Sequence, residues 1–165
     1  IQAIKLKEGD ELAVVRFMND DEKIILITKQ SYAIKFTFDD IKAIGRLTSG
    51  VKGIAKKEDD AVIGVINFSS KDDLFVLITN EGKSKKMSVS DFTIQNRGGR
   101  GVMALKLDPN DYVAAALKAS EGDAILIAGK PNSICVPVKE ISIQSKLGSG
   151  TKIIERSVVE SAIVV

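Results

Sequence analysis

The sequence predicts an all-β array of repeated units. Three observations carry this: short β-branched apolar runs between polar turns, landmarks recurring at a period of about 50 residues, and no stretch with a sustained helical period.

The first strand of each unit is "IILIT" (Ile24 to Thr28), "FVLIT" (Phe75 to Thr79) and "ILIAG" (Ile125 to Gly129). Acidic or polar turns precede them: "NDDEK", "SSKDD" and "SEGD". These runs are too apolar for an outer edge, so Ile25, Leu26, Phe75, Val76, Leu77, Ile125 and Leu126 are the expected core. The second strand follows the turns "KQS", "NEGK" and "KPNS". It alternates through "AIKFTFDDI", "SKKMSVSDF" and "SICVPVKEI", each ending in an acidic-apolar pair, Asp40-Ile41, Asp91-Phe92 and Glu140-Ile141. "DDIKAIGRL" has room for one helical turn, but Gly45 and Gly50 favour a loop.

Next come three polar turns that align without gaps: "IGRLTSG" (Ile44 to Gly50), "QNRGGRG" (Gln95 to Gly101) and "QSKLGSG" (Gln144 to Gly150). A basic residue recurs at Arg46, Arg97 and Lys146, and a glycine closes each turn. The last element is "VKGIAKKEDDAVIGVINF", "VMALKLDPNDYVAAALKA" and "TKIIERSVVESAIVV"; the opening "IQAIKLKEGDELAVVRF" is a fourth copy of it. The repeats run over 1–50, 51–101 and 102–150, with a partial one at 151–165, in a single repeat domain. A unit this small buries little alone and must share its core with a neighbour. Closed propellers have about 4–8 blades. About three blades plus an extra strand element are therefore expected to be part of a larger domain, with ends covered by further blades.

Composition narrows the chemistry. The 165 residues carry a formal charge of +2, from 24 basic and 22 acidic side chains, so only segregation of the two signs makes a basic face. There is no histidine and one cysteine, Cys135. Cys/His zinc sites, histidine-dependent nucleophilic triads and an internal disulfide are excluded within the chain. No cofactor is expected. The lone cysteine fits a reducing cytosol and is expected as a buried thiol in an apolar alternation. No apolar run reaches the roughly 20 residues that span a bilayer.

The turn Gln95 to Gly101 reads in two ways. It is a tight hairpin loop with solvated arginines, or a phosphate cradle in which glycines expose backbone N–H groups and Arg97 and Arg100 add charge-assisted bonds. It is not a P-loop, because the G-x-x-x-x-G-K-[ST] pattern and its helix are missing. Arg46 with Lys52, Lys56 and Lys57, and Lys146 with Lys152 and Arg156, occupy equivalent turns and would line one rim of an arc. Lys83, Lys85 and Lys86 form the densest basic run. Strand alternation sends the first two to one face and Lys86 to the other, so one face at most reaches a polyanion. The acidic turns Asn19 to Glu22 and Lys57 to Asp60 lack calcium-loop spacing and are expected as solvated tips. Tyr32 and Tyr112 have no catalytic context.

Taken together, the acidic-apolar pair, the basic-glycine turn and "GRGVMALKLDPNDYV" (Gly99 to Val113) resemble the C-terminal domain of the A subunit of bacterial type IIA topoisomerases, DNA gyrase and topoisomerase IV. "QNRGGRG" is similar to the gyrase box, QRRGGKG. Gln95, Arg97, Gly98, Gly99 and Gly101 match, Arg100 keeps the charge of a lysine, and Asn96 replaces a basic residue. The resemblance implies a β-pinwheel, a propeller-like disc whose blades exchange strands and whose basic rim bends and wraps duplex DNA. The implied DNA-binding set is Gln95, Arg97, Gly98, Gly99, Arg100 and Gly101, with Arg46, Lys52, Lys85, Lys86, Lys146 and Lys152. The implied partners are duplex DNA, the rest of the topoisomerase A polypeptide and the B subunit, in the bacterial cytoplasm at the nucleoid, with no membrane. The cleavage tyrosine, metal site and ATPase of such enzymes lie elsewhere, so no catalytic centre is expected here. The alternative is a propeller-type protein-interaction module whose glycine turns are purely structural.

Overall fold

The computed structural model describes residues 3–41, 44–45, 48–71 and 73–165. Among these residues the chain is all-β, with three antiparallel sheets in a row. The first sheet has the order β3 (Val62–Phe68), β1 (Lys23–Thr28), β2 (Tyr32–Thr37), β6 (Val102–Met103). The second runs β7 (Val113–Lys118), β4 (Leu74–Thr79), β5 (Lys83–Ser88), β10 (Thr151–Lys152). The third runs β11 (Val158–Val164), β8 (Ala124–Lys130), β9 (Ile134–Pro137).

Local chemistry sets the hairpins. In the β1–β2 turn Ser31 has φ +66°, and the Thr28 hydroxyl accepts the Tyr32 N–H at 3.1 Å. In the β4–β5 turn Gly82 has φ +82°, and Thr79 accepts the Lys83 N–H in the same way. A single 3-10 turn ends each second strand, at Phe38–Asp40, Val89–Asp91 and Val138–Glu140. The acid of the acidic-apolar pair closes the first of these: Asp40 accepts the backbone N–H and hydroxyl of Thr37.

The first two hairpins are each completed by a short strand from later in the chain. β6 pairs with β2 through Tyr32↔Met103 and Ala33↔Val102, and β10 pairs with β5 through Thr151↔Ser84 and Lys152↔Lys83. A parallel bridge adds to each exchange, Lys35↔Ile94 and Lys86↔Ile143. The blades therefore exchange strands, and each of the two later polar turns is carried onto the sheet before it.

Strand alternation builds the core. Ile25 and Ile27 of β1 meet Phe75 and Leu77 of β4, with Met87, Phe92 and Leu105 around them. The opposite face of β4, Val76 and Ile78, meets Ile125 and Ile127 of β8. β4 reads as continuously apolar because both of its faces are covered. Leu126 points to the uncovered face of the third sheet and is 40% exposed, so it is not core. Cys135 pairs with Leu126 and is exposed as well, against the expectation of a buried thiol. No sheet covers that face among the described residues.

A second local device recurs in the last element. Asp60 is buried, not a solvated tip. Its Oδ1 accepts the N–H of Gln30 in the preceding hairpin turn at 2.9 Å and that of Ala61. Asp111 does the same for Glu81 and Tyr112, and Ser157 accepts the Asn132 N–H. Asp111→Ala strips the acceptor from two amides at a blade junction. It is expected to cost about 1–3 kcal/mol, seen as a lower urea midpoint at unchanged m.

The fourth copy of this element, at the N-terminus, keeps its turn but not its strand. Asp10 donates its N–H to the Lys7 carbonyl at 3.1 Å, as Asp60 does to Lys57 and Asp111 to Asp108. Gly9 has φ +81°, matching Asn110 at +67° and Arg156 at +53°. Residues 3–22 nevertheless form no strand, and Leu12, Val15 and Phe17 are exposed. In the other copies this segment adds to the first strand of a hairpin. That edge of β1, β4 and β8 is already taken by β3, β7 and β11.

Candidate functional site

The polar turn of the second repeat is clamped between two segments of the chain. The Gln95 N–H donates to the Lys35 carbonyl and the Gly98 N–H to the Gly53 carbonyl, both at 2.8 Å. The Gly99 N–H turns back to the Asn96 carbonyl, and the Gly99 carbonyl accepts the Ala55 N–H. Arg97 ties the turn further: Nε donates to the Asp40 carbonyl at 3.0 Å and Nη1 to the Lys52 carbonyl at 2.6 Å. The expected row of free backbone donors is therefore not present at Gly98 and Gly99. Their hydrogens, and much of the Arg97 guanidinium, bond to the protein itself, and any anion here meets side chains.

Two glycines of this turn have separate reasons. Gly98 has φ +82°, and an added Cβ there would meet only the Lys52 carbonyl oxygen, at 3.5 Å. Gly101 has φ +71° and lies against Ala33, where an added Cβ would stand 2.8 Å from the carbonyl carbon. The first permits a conformation; the second also permits the contact on which strand exchange depends.

Arg100 is the free cation of the turn. It is exposed and pairs with no acid among the described residues. It borders a cleft of about 380 Å³ lined by Tyr32, Ala55, Lys56, Lys57, Asp60 and Arg100. The Asp60 carboxylate is held by the Gln30 and Ala61 amides, and three basic residues line this one concavity. Lys52 is exposed beside a second cleft that also includes Lys7 and Lys56.

The turn of the third repeat docks by the same rules. The Gln144 N–H donates to the Lys86 carbonyl, and the Lys106 N–H to the Gly148 carbonyl, matching the Gln95 and Ala55 bonds. Lys146, at the place of Arg97, is half-buried with Nζ 5.6 Å from the centre of the Phe92 ring. Lys152 is exposed on β10. Arg46 lies outside the described residues.

Two expected contacts are corrected. Lys85 is fully buried. Its ammonium lies beneath the third turn and donates to the carbonyls of Ser145 at 2.7 Å, Gly148 at 3.1 Å and Lys146 at 3.4 Å. Burial pushes its pKa down to about 8. Lys86, on the other face, is 5% exposed and donates to the Val138 carbonyl and to Glu121. Lys83, in the same run, pairs with Asp108. Two of the three lysines of the densest basic run are therefore interior, and the third is held by an acid.

Lys35 is the residue that sequence reasoning missed. Its Nζ donates to the Val89 carbonyl at 2.9 Å, as Lys86 donates to Val138. Each lysine spans from one blade to the 3-10 turn of the next. Burial pushes the Lys35 pKa down, and repulsion from Lys23 adds to the shift. The signal was its register with Lys86 in the aligned second strands. In the third blade the same place holds Cys135.

This strand-exchanged geometry is shared with known proteins. The solved C-terminal domain of DNA topoisomerase IV superposes with a TM-score of 0.93 at 25% identity, covering 99% of this chain and 52% of that one. The DNA gyrase A C-terminal domain superposes with a TM-score of 0.84 at 25% identity, covering 98% and 57%. By sequence, the DNA gyrase A protein of Lawsonia intracellularis (strain PHE/MN1-00) is 29% identical over 157 residues, 93% of this chain and 19% of the relative. The chain thus spans about half of these solved domains and under a fifth of the full gyrase A protein. A family model described as the DNA gyrase C-terminal domain, beta-propeller, matches residues 22–69 and 73–120. With more than half of its length inside that match, and with its first two blades completed by strand exchange, the chain belongs to the DNA gyrase C-terminal domain family.

Proposed function

We propose that this chain binds duplex DNA without sequence specificity and bends it across its polar turns, as an accessory domain of the A subunit of a type IIA topoisomerase. The observation that carries the reading is the cleft beside the second turn, lined by Arg100, Lys56 and Lys57 and by an acid that is already hydrogen-bonded. Lys52, Lys146 and Lys152 add charge in and beside the two later turns, which dock on β2 and β5 in the same way, and Arg46 belongs by sequence to the first such turn. Gln95, Arg97, Gly98, Gly99 and Gly101 shape and anchor the site.

The mechanism is electrostatic. Side chains that neutralise phosphates release condensed counterions, so affinity falls steeply with salt. Bending a site of 20–30 base pairs costs on the order of 1–6 kcal/mol, which contacts on several blades offset. Wrapping by this domain supports the topology change carried out by the holoenzyme, whose other segments supply cleavage and ATP hydrolysis. The setting is the bacterial cytoplasm.

The test is a mobility shift of a duplex of about 150 base pairs across salt. Arg100→Ala is expected to weaken binding about equally for all sequences and to reduce the salt slope by about 1, with the thermal midpoint unchanged. Arg97→Ala is expected to lower the midpoint, because it frees the Asp40 and Lys52 carbonyls. A wild type without a salt-sensitive shift would sink the DNA reading and favour a protein-interaction module.

A further inference from the structure

We propose that Leu147 is an apolar wedge that inserts between base pairs of the bound duplex and localises its bend; this rests on the DNA reading above. Leu147 sits at the tip of the third turn and is 83% exposed.

Among the described large apolar side chains only Phe17 is more exposed, and Ile143 of the same segment is exposed as well. Leu12, Val15 and Phe17 belong to the unpaired N-terminal element, and Leu126, Val158 and Ile163 lie on the third sheet, beyond which no further sheet is described. The turn of Leu147, by contrast, has its neighbours on both sides. It is fixed by the Gln144 N–H to Lys86, by the Lys106 N–H to Gly148, and by the buried Lys85 ammonium beneath it. A leucine held out from a turn braced this firmly is presented in one place, which lowers the cost of ordering it on binding.

The surroundings indicate the occupant. Residues 142–152, "SIQSKLGSGTK", contain two lysines and no acid, so a polyanion is the complementary surface. The aligned position in the second turn is Gly98, where an added Cβ would meet only the Lys52 carbonyl oxygen, at 3.5 Å. A duplex lying across both turns would approach the backbone closely at Gly98 and meet a protruding side chain at Leu147. Proteins that bend DNA often insert leucine or another apolar side chain between base steps, partly unstacking them and kinking the helix by about 20–90°. The sequence also places a leucine, Leu47, at the same step of the first turn.

The experiment uses the 165-residue chain with a duplex of about 150 base pairs at low salt. Permanganate reactivity of thymines reads unstacking, and energy transfer between the DNA ends reads the bend. The wild type is expected to give discrete permanganate-reactive thymines. Leu147→Ser is expected to abolish that reactivity and relax the bend, at an unchanged salt slope and thermal midpoint, while Leu147→Met retains both signals. A wild type that binds and bends DNA with no reactive thymines, or a Leu147→Ser variant with the wild-type pattern, overturns the wedge and leaves the DNA reading standing. A wild type that shows no salt-sensitive binding overturns both.

Discussion

Gly101→Ala is expected to destabilise the fold by about 3 kcal/mol, seen as a fall of about 6–12 °C in thermal midpoint. Two costs combine. The left-handed conformation costs about 1–2 kcal/mol for any residue with a Cβ. The new methyl also collides with the Ala33 carbonyl, because Gly101 has φ +71° and lies against that peptide. The collision falls where Val102 pairs with Ala33, so the exchanged strand β6 must shift to relieve it. Gly98→Ala is the control. Its φ of +82° carries the same conformational cost, but the nearest atom is the Lys52 oxygen at 3.5 Å. It is expected to lose only that cost, about 1–2 kcal/mol. Equal losses at the two positions would show that the strand-exchange contact is not what Gly101 serves.

Lys85→Ala is expected to cost about 3 kcal/mol, because it withdraws one ammonium from three carbonyls and leaves a void beneath the third turn. Lys85→Met keeps most of the apolar stem and isolates the loss of the donor. The pH dependence has a definite sign. The folded pKa is depressed to about 8 from an ordinary 10.5, so the unfolded chain binds more protons between these values. Stability from this group therefore increases as pH rises from about 8 to 10.5. Urea unfolding of wild type and Lys85→Met is expected to show the difference growing in favour of wild type over that window. A constant difference would mean that the charge on Lys85 is not buried by the turn. Because the same ammonium braces the turn that carries Leu147 and Lys146, the variant is also a probe of how rigidly that turn is presented.

The fold class was legible because repetition, alternation and turn chemistry agree, and each of them is local. The three aligned turns were legible as recurring turns, and two of them dock alike on β2 and β5, with Arg100 exposed. The fate of each lysine was not legible. Lys85 and Lys86 look like the strongest polyanion site in the sequence, yet both are buried under elements from about 35 to 60 residues away in the chain. A lysine is a polyanion contact or an interior clamp depending on which carbonyls the tertiary structure brings to its ammonium.

The N-terminal element separates the two kinds of information most cleanly. Its sequence determined the turn at Gly9-Asp10, which forms with the same hydrogen bond as its counterparts, because a glycine that adopts positive φ and a short i to i+3 bond need nothing from the rest of the molecule. Its strand did not form, although Leu12 to Phe17 carries the apolar pattern of β7 and β11. A strand satisfies its backbone only against another strand, and every edge that accepts this element in the other repeats is occupied. Sequence alone determined turns, alternation and period. Tertiary structure decided which edges pair, which faces are covered, and therefore which cations remain exposed.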